Sequence, residues 1–496
     1  AGLPTTAACP DFAYAPAASA PVVTRLLDAG AVLIGKTNMD QFATGLVGSR
    51  SPYGRLSSIY GSELVSGGSS SGSAVAVASG LVAFALGTDT AGSGRVPAAF
   101  NGLVGLKPSR GLLSTRGVVP ACASLDCVSI LAHTVTDAAL VLAVIAQPDG
   151  HDPWSRRHVS STRPRRQVVG LPVTGQAEPD AEASAAWAQA RDRAGATWTA
   201  VPVDVAPLLE AAPLLYAVWV AERTADLGAI VASEPEGLDA TVASIIRGGA
   251  DLDAVTVFAA MHRLAELRRR VATIWEEVDA LLLPTAPMHP THKQVRADPV
   301  AVNERLGRFT NSTNLMDLAA LALPGPPRPG GLPFGVSLLA PAGEDRRLLE
   351  LGAQWLGETD NTPEDHRDVA LAVAGAHMSG LPLNAQLTER GARFVRRTLT
   401  GPQYRLYELA GYEPRRPGLI RVADGGTNIE VEVWKLAPAA LGALLCDVPH
   451  PLALGRIELE DGESVVGFVC EGYAARSSED ITEYGGWRSY ISAVPT

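Results

Sequence analysis

Two stretches of small residues constrain this chain more than anything else in it. They are Ser66-Gly67-Gly68-Ser69-Ser70-Ser71-Gly72-Ser73-Ala74 and Gly87-Thr88-Asp89-Thr90-Ala91-Gly92-Ser93-Gly94-Arg95. Side chains this small leave main chain to pack on main chain, and glycine opens backbone angles that other residues forbid. The apolar run Leu81 to Leu86 reads as a strand entering a tight turn that carries Ser93, with a helix following near Val96 to Phe100. A serine on such a turn, beside free backbone N–H groups, is how a nucleophile and an oxyanion hole are built together. The first stretch has the composition of a flexible linker. It runs straight into Ala74-Val75-Ala76-Val77-Ala78, however, and that run calls for burial.

Together with Gly105-Leu106-Lys107-Pro108-Ser109-Arg110-Gly111, the two blocks resemble the amidase signature family in order and spacing. The resemblance implies Ser93 as nucleophile, Ser69 as proton relay and a neutral lysine as terminal base. It implies a cis Gly68–Ser69 peptide, Ser69 Oγ within reach of Ser93 Oγ, and an oxyanion hole at the N–H groups of Thr90, Ala91, Gly92 and Ser93. A serine hydroxyl is a weak nucleophile until a held base takes its proton. Lysine can be that base only where its pKa is lowered. In the family this lysine precedes a stretch like Ala1-Gly2-Leu3-Pro4-Thr5-Thr6, and this chain opens at Ala1 without methionine. The base lysine is therefore expected outside these residues. Lys36, in Gly35-Lys36-Thr37-Asn38-Met39-Asp40 after a strand at Ala31 to Ile34, matches a different motif and is expected to be structural or to back the site. Lys107 is expected to be structural.

The 496 residues allow one to three domains and a large core. Lys and Arg number 41 against 52 acids, a net charge of −11 that argues against a general nucleic-acid surface. Five scattered cysteines, Cys9, Cys122, Cys127, Cys446 and Cys470, read as reduced thiols in a cytoplasmic protein. Cys122 and Cys127 lack zinc-site spacing, so no metal and no cofactor are expected. The apolar run from Ala74 to Gly87 is broken at Ser79-Gly80 and too short to cross a bilayer.

Through about Gly150, short apolar strands alternate with helices, among them Val22 to Leu27 and Val75 to Ser79, as in an α/β layered domain. Residues 151–170 form an arginine-rich excursion (Arg156, Arg157, Arg163, Arg165, Arg166), and a strand resumes at Val168 to Leu171. Helical spacing over Asp253 to Asp279 leads into a strand at Ala280 to Leu283. A helix at Asn314 to Ala320 and a last strand at Leu332 to Leu339 are expected. The fold class implied is α/β: an amidase signature fold, a mixed β-sheet core covered by helices, over residues 1–356. A linker at 357–368 and a smaller α+β domain at 369–496 follow. In that domain Ile429 to Trp434 alternates with period two, as a half-buried strand should.

Fold and nucleophile do not choose a substrate. The stretches Gly375-Ala376-His377-Met378-Ser379-Gly380-Leu381-Pro382-Leu383-Asn384 and Glu479 to Arg488 resemble the allophanate hydrolase C-terminal domain, and the region Gln41 to Gly54 agrees. This implies hydrolysis of allophanate, a urea carrying a carboxylate, with the C-terminal domain promoting decarboxylation of the product and His377 taking part. It also implies a homodimer, a functional link to a biotin-dependent urea carboxylase, and no nucleic-acid or membrane partner. The substrate carboxylate needs a cation, best an arginine fork. Tyr216 and Arg223, implied in that role, are spaced to share one helical face. By residue type alone they also fit a core tyrosine and a solvated arginine, and His377 also fits a histidine satisfied under a turn. Three readings stay open: this two-step hydrolase, an amidase of another small amide whose second domain binds or dimerises, and a non-catalytic scaffold. A tRNA-linked glutaminase lacks these C-terminal motifs.

Overall fold

The computed structural model describes residues 1–157, 166–358 and 368–494. It divides into two compact units, Ala1–His158 with Gln167–Pro363 and Val159–Arg166 with Glu364–Thr496. Arg163, Arg165 and most of the expected linker lie outside the described residues.

The first unit is built on eight strands: β1 (Phe84–Thr88), β2 (Val104–Lys107), β3 (Val128–Ala132), β4 (Val168–Pro172), β5 (Thr199–Val203), β6 (Ala280–Pro284), β7 (Leu318–Pro324) and β8 (Gly335–Pro341). Their spatial order is β1-β3-β2-β7-β8-β6-β4-β5. Within this sheet β4 pairs in parallel with β5 and β6 while the other ladders are antiparallel, so the sheet is mixed. Its central strands are unbroken apolar runs because both faces are covered. Leu282, Leu321 and Leu338 enter one core with the helices Val135–Ile145 and Asp345–Leu356. Leu281, Leu283 and Leu339 enter the other with the helix Ala254–Ile274.

Three expectations in this unit fail. Ala31 to Ile34 forms no strand; the segment carries no ladder and leaves Val32 and Ile34 exposed. Leu81 to Ala83 is a bend, and the strand begins only at Phe84. The helix expected over Asn314 to Ala320 is one turn, Ser312–Leu315, and the chain then enters β7. Leu318-Ala319-Ala320-Leu321-Ala322-Leu323 is apolar at every position, so periodicity cannot tell a buried strand from a buried helix.

The second unit has a five-stranded sheet of β9 (Val369–Val373), β10 (Arg393–Leu399), β13 (Glu430–Leu436), β14 (Leu452–Glu458) and β15 (Ser464–Cys470), in the order β10-β13-β9-β15-β14. A three-stranded sheet joins β11 (Tyr404–Leu409), β12 (Arg416–Arg421) and β16 (Glu479–Asp480), in the order β12-β11-β16. The expected alternation of β13 breaks at Glu432, which is fully buried between Val431 and Val433. Its carboxylate accepts from Ser379 N at 2.6 Å, Ser379 Oγ at 2.9 Å and Arg488 Nη2 at 2.9 Å. Burial alone would raise its pKa, but these donors hold the carboxyl below its usual range.

Candidate active site

The Ser93 loop is held from behind by a sealed ion pair. Asp89 accepts from Arg95 Nε and Nη2, each at 2.9 Å, and from the N–H groups of Gly94 and Arg95. Arg95 also donates to Thr313 Oγ1 at 2.8 Å and Thr310 O at 3.2 Å, and Asn314 Nδ2 donates to Asp89 O at 2.7 Å. Both charged side chains are fully buried. On the other flank Thr90 Oγ1 donates to Asp126, whose carboxylate also accepts from Ala121 N at 2.8 Å and Cys122 N at 3.2 Å. Burial raises the Asp126 pKa to about 6 against these donors.

Held this way, the N–H groups of Thr90, Ala91, Gly92 and Ser93 donate to nothing among the described residues. Buried main-chain donors are rarely left unpaired, so four in a row mark a place built for an acceptor. Gly92 has φ +149, and a Cβ there would lie 2.4 Å from Thr310 Oγ1. Only glycine fits this turn.

The first small-residue block meets this loop through main chain. Ser70 N donates to Ser93 O at 3.3 Å, and Asp40 N donates to Ser69 O at 3.1 Å. Asp40, fully buried, accepts from the N–H groups of Val47, Gly48 and Arg50. Burial pushes its pKa up, against Arg50 and those donors. The Gly68–Ser69 peptide is cis. The expected hydrogen bond from Ser69 Oγ to Ser93 Oγ is not made. Ser69 Oγ is buried with no partner, because backbone contacts, not the hydroxyls, set the approach of the two segments.

Lys36 Nζ donates to Pro4 O at 3.1 Å and Thr5 Oγ1 at 2.5 Å, tying down the start of the chain. Lys107 is fully buried, with Nζ on Pro108 O at 2.8 Å and 3.5 Å from Cys127 Sγ. Neither ammonium group reaches Ser69 Oγ.

Tyr216 and Arg223 do not share a helix. The chain leaves the helix Leu214–Ala217 at Val218 (φ −134, ψ −45), and a new helix, Val220–Ala232, carries Arg223. Spacing of seven aligns two residues only along an unbroken helix, and the break turns them apart. Tyr216 lines a hollow open to solvent with Arg50, Asn303 and Glu304. Arg223 is 5% exposed and donates to Phe42 O at 3.2 Å and to Thr44 Oγ1. No carboxylate partners it among the described residues. Its charge acts on the Cys122 thiol, which burial pushes up to about 12, and on Asp126, the partner of Thr90.

In the second unit His377 lines a narrow cleft open to solvent. Its ring stacks on Phe468, with centroids 4.8 Å apart, and Nε2 lies 3.0 Å from Gln386 Oε1. Burial lowers the His377 pKa, and the charges of Arg416 and Arg390 act the same way against the Gln386 bond.

Sequence reasoning missed Asp126, Asp40, Thr310 and Glu432. Asp89 and Arg95 stood inside the quoted block, where their pairing was the available signal. Asp126 carried none, because its partners come from a loop folded onto it.

A model of the amidase family matches residues 1–349, and one of the allophanate hydrolase C-terminal domain matches residues 369–492. The urea amidolyase of Saccharomyces cerevisiae is 43% identical over 99% of this chain, and that of Lachancea kluyveri is equally similar over the same share. The chain spans only 29% of the length of either protein. The solved structure of Kluyveromyces lactis allophanate hydrolase is 41% identical with a TM-score of 0.87, covering 99% of this chain and 86% of that one. By its two small-residue loops, its mixed sheet and its second unit alike, the chain belongs to the amidase family and carries an allophanate hydrolase C-terminal domain.

Proposed function

We propose that this protein hydrolyses the terminal amide of allophanate through an acyl-enzyme on Ser93, and that its second unit promotes decarboxylation of the product. Ser93 Oγ attacks the terminal carbonyl carbon, and the oxyanion that forms takes the free N–H groups of Thr90 to Ser93. The hydroxyl proton passes through Ser69 and returns to the leaving nitrogen; the C–N bond breaks and ammonia departs. Water then attacks the acyl carbon, the ester C–O bond breaks, Ser93 regains its proton, and N-carboxycarbamate leaves. Lys36 and Lys107 do not serve as the base behind Ser69, since their ammonium groups are engaged elsewhere.

In the second step one carboxylate leaves N-carboxycarbamate as carbon dioxide. The electron pair of the broken C–N bond stays on nitrogen, which takes a proton and leaves carbamate. A neutral His377, as burial favours, can accept a proton from a carboxyl group and hand it to that nitrogen. In the same reading the protein is a cytoplasmic homodimer, and a biotin-dependent urea carboxylase supplies the allophanate.

One observation carries the substrate class: Arg223 is a buried guanidinium that donates to Phe42 O and Thr44 Oγ1 and makes no direct ion pair among the described residues, its charge acting on the Asp126 carboxylate that holds Thr90. A buried guanidinium without a bidentate carboxylate has donors to spare, and a substrate carboxylate would take them. The test is ammonia release by the full-length protein from allophanate, malonamide and glutamine. Preference for allophanate supports the reading; equal or better turnover of the neutral diamide overturns it.

A further inference from the structure

The His377 cleft is lined by a cation, Arg416, that makes no ion pair among the described residues. Arg416 opens β12 and lines the same cleft as His377. Its neighbours are all engaged. Arg415 is paired with Glu408 and donates to Tyr490 Oη at 3.0 Å, and Arg390 Nη2 donates to Asp447 Oδ2 at 2.5 Å. Arg416 has no such partner among the described residues. Its Nε is buried without a hydrogen bond, and its guanidinium lies 5.4 Å from the centre of the Tyr412 ring.

The backbone fixes this cation beside the histidine. Gly375 lies so close to Pro417 that a Cβ on it would stand 2.4 Å from the proline ring. The loop bearing His377 and the strand bearing Arg416 are therefore pressed together within two residues of each side chain. The stacked Phe468 and the side chains of Leu383, Leu444 and Leu452 give the cleft an apolar wall. A half-buried guanidinium with a dry Nε, lining one apolar cleft together with a histidine, fits a small anion, since a carboxylate can take two parallel N–H groups from one fork.

We propose that Arg416 is the carboxylate-binding residue of the His377 cleft, and that the cleft takes a small anion with two carboxylates on one central atom. This rests on the two-step reading above and deepens it: Arg416 holds the carboxylate that stays, leaving the one that departs against the apolar wall and the proton transfer to His377. Arg416 is in this account a binding residue for the second step and has no part in the first.

The probe is malonate, a stable dicarboxylate with a methylene in place of the central nitrogen. Malonate titration of the full-length protein is followed by the histidine-ring NMR signal that disappears in His377→Asn. The expected result is a saturable shift of that signal, weakened about tenfold or more in Arg416→Gln and less in Arg416→Lys, which keeps the charge but not the fork. First-step ammonia release stays unchanged in both variants. A shift with unaltered affinity in Arg416→Gln, or no shift in the wild type, overturns the proposal. Arg416→Lys serves if the glutamine variant fails to fold, and unaltered affinity there and in Arg416→Met also overturns it. Decay of N-carboxycarbamate, followed separately by carbon-13 NMR, tests the underlying reading. Decay no faster with the protein than without it, alongside Arg416-dependent malonate binding, removes the decarboxylation step and leaves the anion site standing.

Discussion

Asp89 grips Arg95 with two oxygens at 2.9 Å each, and both side chains are sealed from solvent. The pair brackets the turn that carries Ser93, so the position of that serine is tied to a buried charge. Removing one member of such a pair leaves the other uncompensated, at about 3–5 kcal/mol. Asp89→Asn keeps the shape and removes the charge. Denaturant unfolding should show a loss in that range together with a collapse of ammonia release. A loss under about 1 kcal/mol would show that Thr310, Thr313 and Asn314 suffice to hold Arg95.

Ser93→Ala should abolish ammonia release and leave the melting temperature nearly unchanged. The hydroxyl is small and its loop is fixed by Asp89, Arg95 and Asp126 rather than by Ser93 itself. Near-normal turnover in this variant would end the acyl-enzyme mechanism.

In the proposed reading Arg223 separates substrates by charge. Losing a desolvated pair with a carboxylate costs about 2–5 kcal/mol. Arg223→Ala should therefore lower kcat/KM for allophanate far more than for malonamide. An equal fall on both would make Arg223 a structural anchor for Phe42 and Thr44.

Asp126 predicts a pH dependence. Its folded-state pKa, raised by burial to about 6, lies above the ordinary carboxylate value. The folded protein thus binds the proton more tightly than the unfolded chain. The stabilisation is complete below about pH 4 and is lost as pH rises through about 6, roughly 3 kcal/mol at most. Asp126→Asn keeps an acceptor for Thr90 and does not titrate. Wild-type stability relative to this variant should fall between about pH 4 and 7 in a series of melts; a flat difference would mean that Asp126 stays charged throughout.

Much of the first unit could be read from its sequence because its constraints are local. Small residues that must pack closely announce the loops of Ser69 and Ser93, and Ala280-Leu281-Leu282-Leu283 before Pro284 marks a buried strand. The failures share one cause, which is that burial is decided by distant partners. Val32, Leu33 and Ile34 have strand composition but no ladder. Leu318 to Leu323 is claimed by strands on both sides. Tyr216 and Arg223 have the spacing of a shared face, yet a single residue, Val218, undoes it. Glu432 looks like an ordinary acid until Ser379 and Arg488 are brought to it from elsewhere in the chain, and Asp126 until its own loop folds back on it and Thr90 arrives.

Glu432 sets an order of events for the second unit. Its carboxylate is enclosed by Ser379, two residues past His377, and by Arg488, more than fifty residues after Glu432 itself. Until Arg488 has emerged from the ribosome, the growing chain holds an acid in the middle of a strand without its full set of counter-groups. The enclosure of Glu432 therefore closes late in synthesis. A premature stop between Glu432 and Arg488 should leave a second unit that cannot bury its central strand, and in a cell such a product would be recognised by proteases rather than persist as a half-active enzyme.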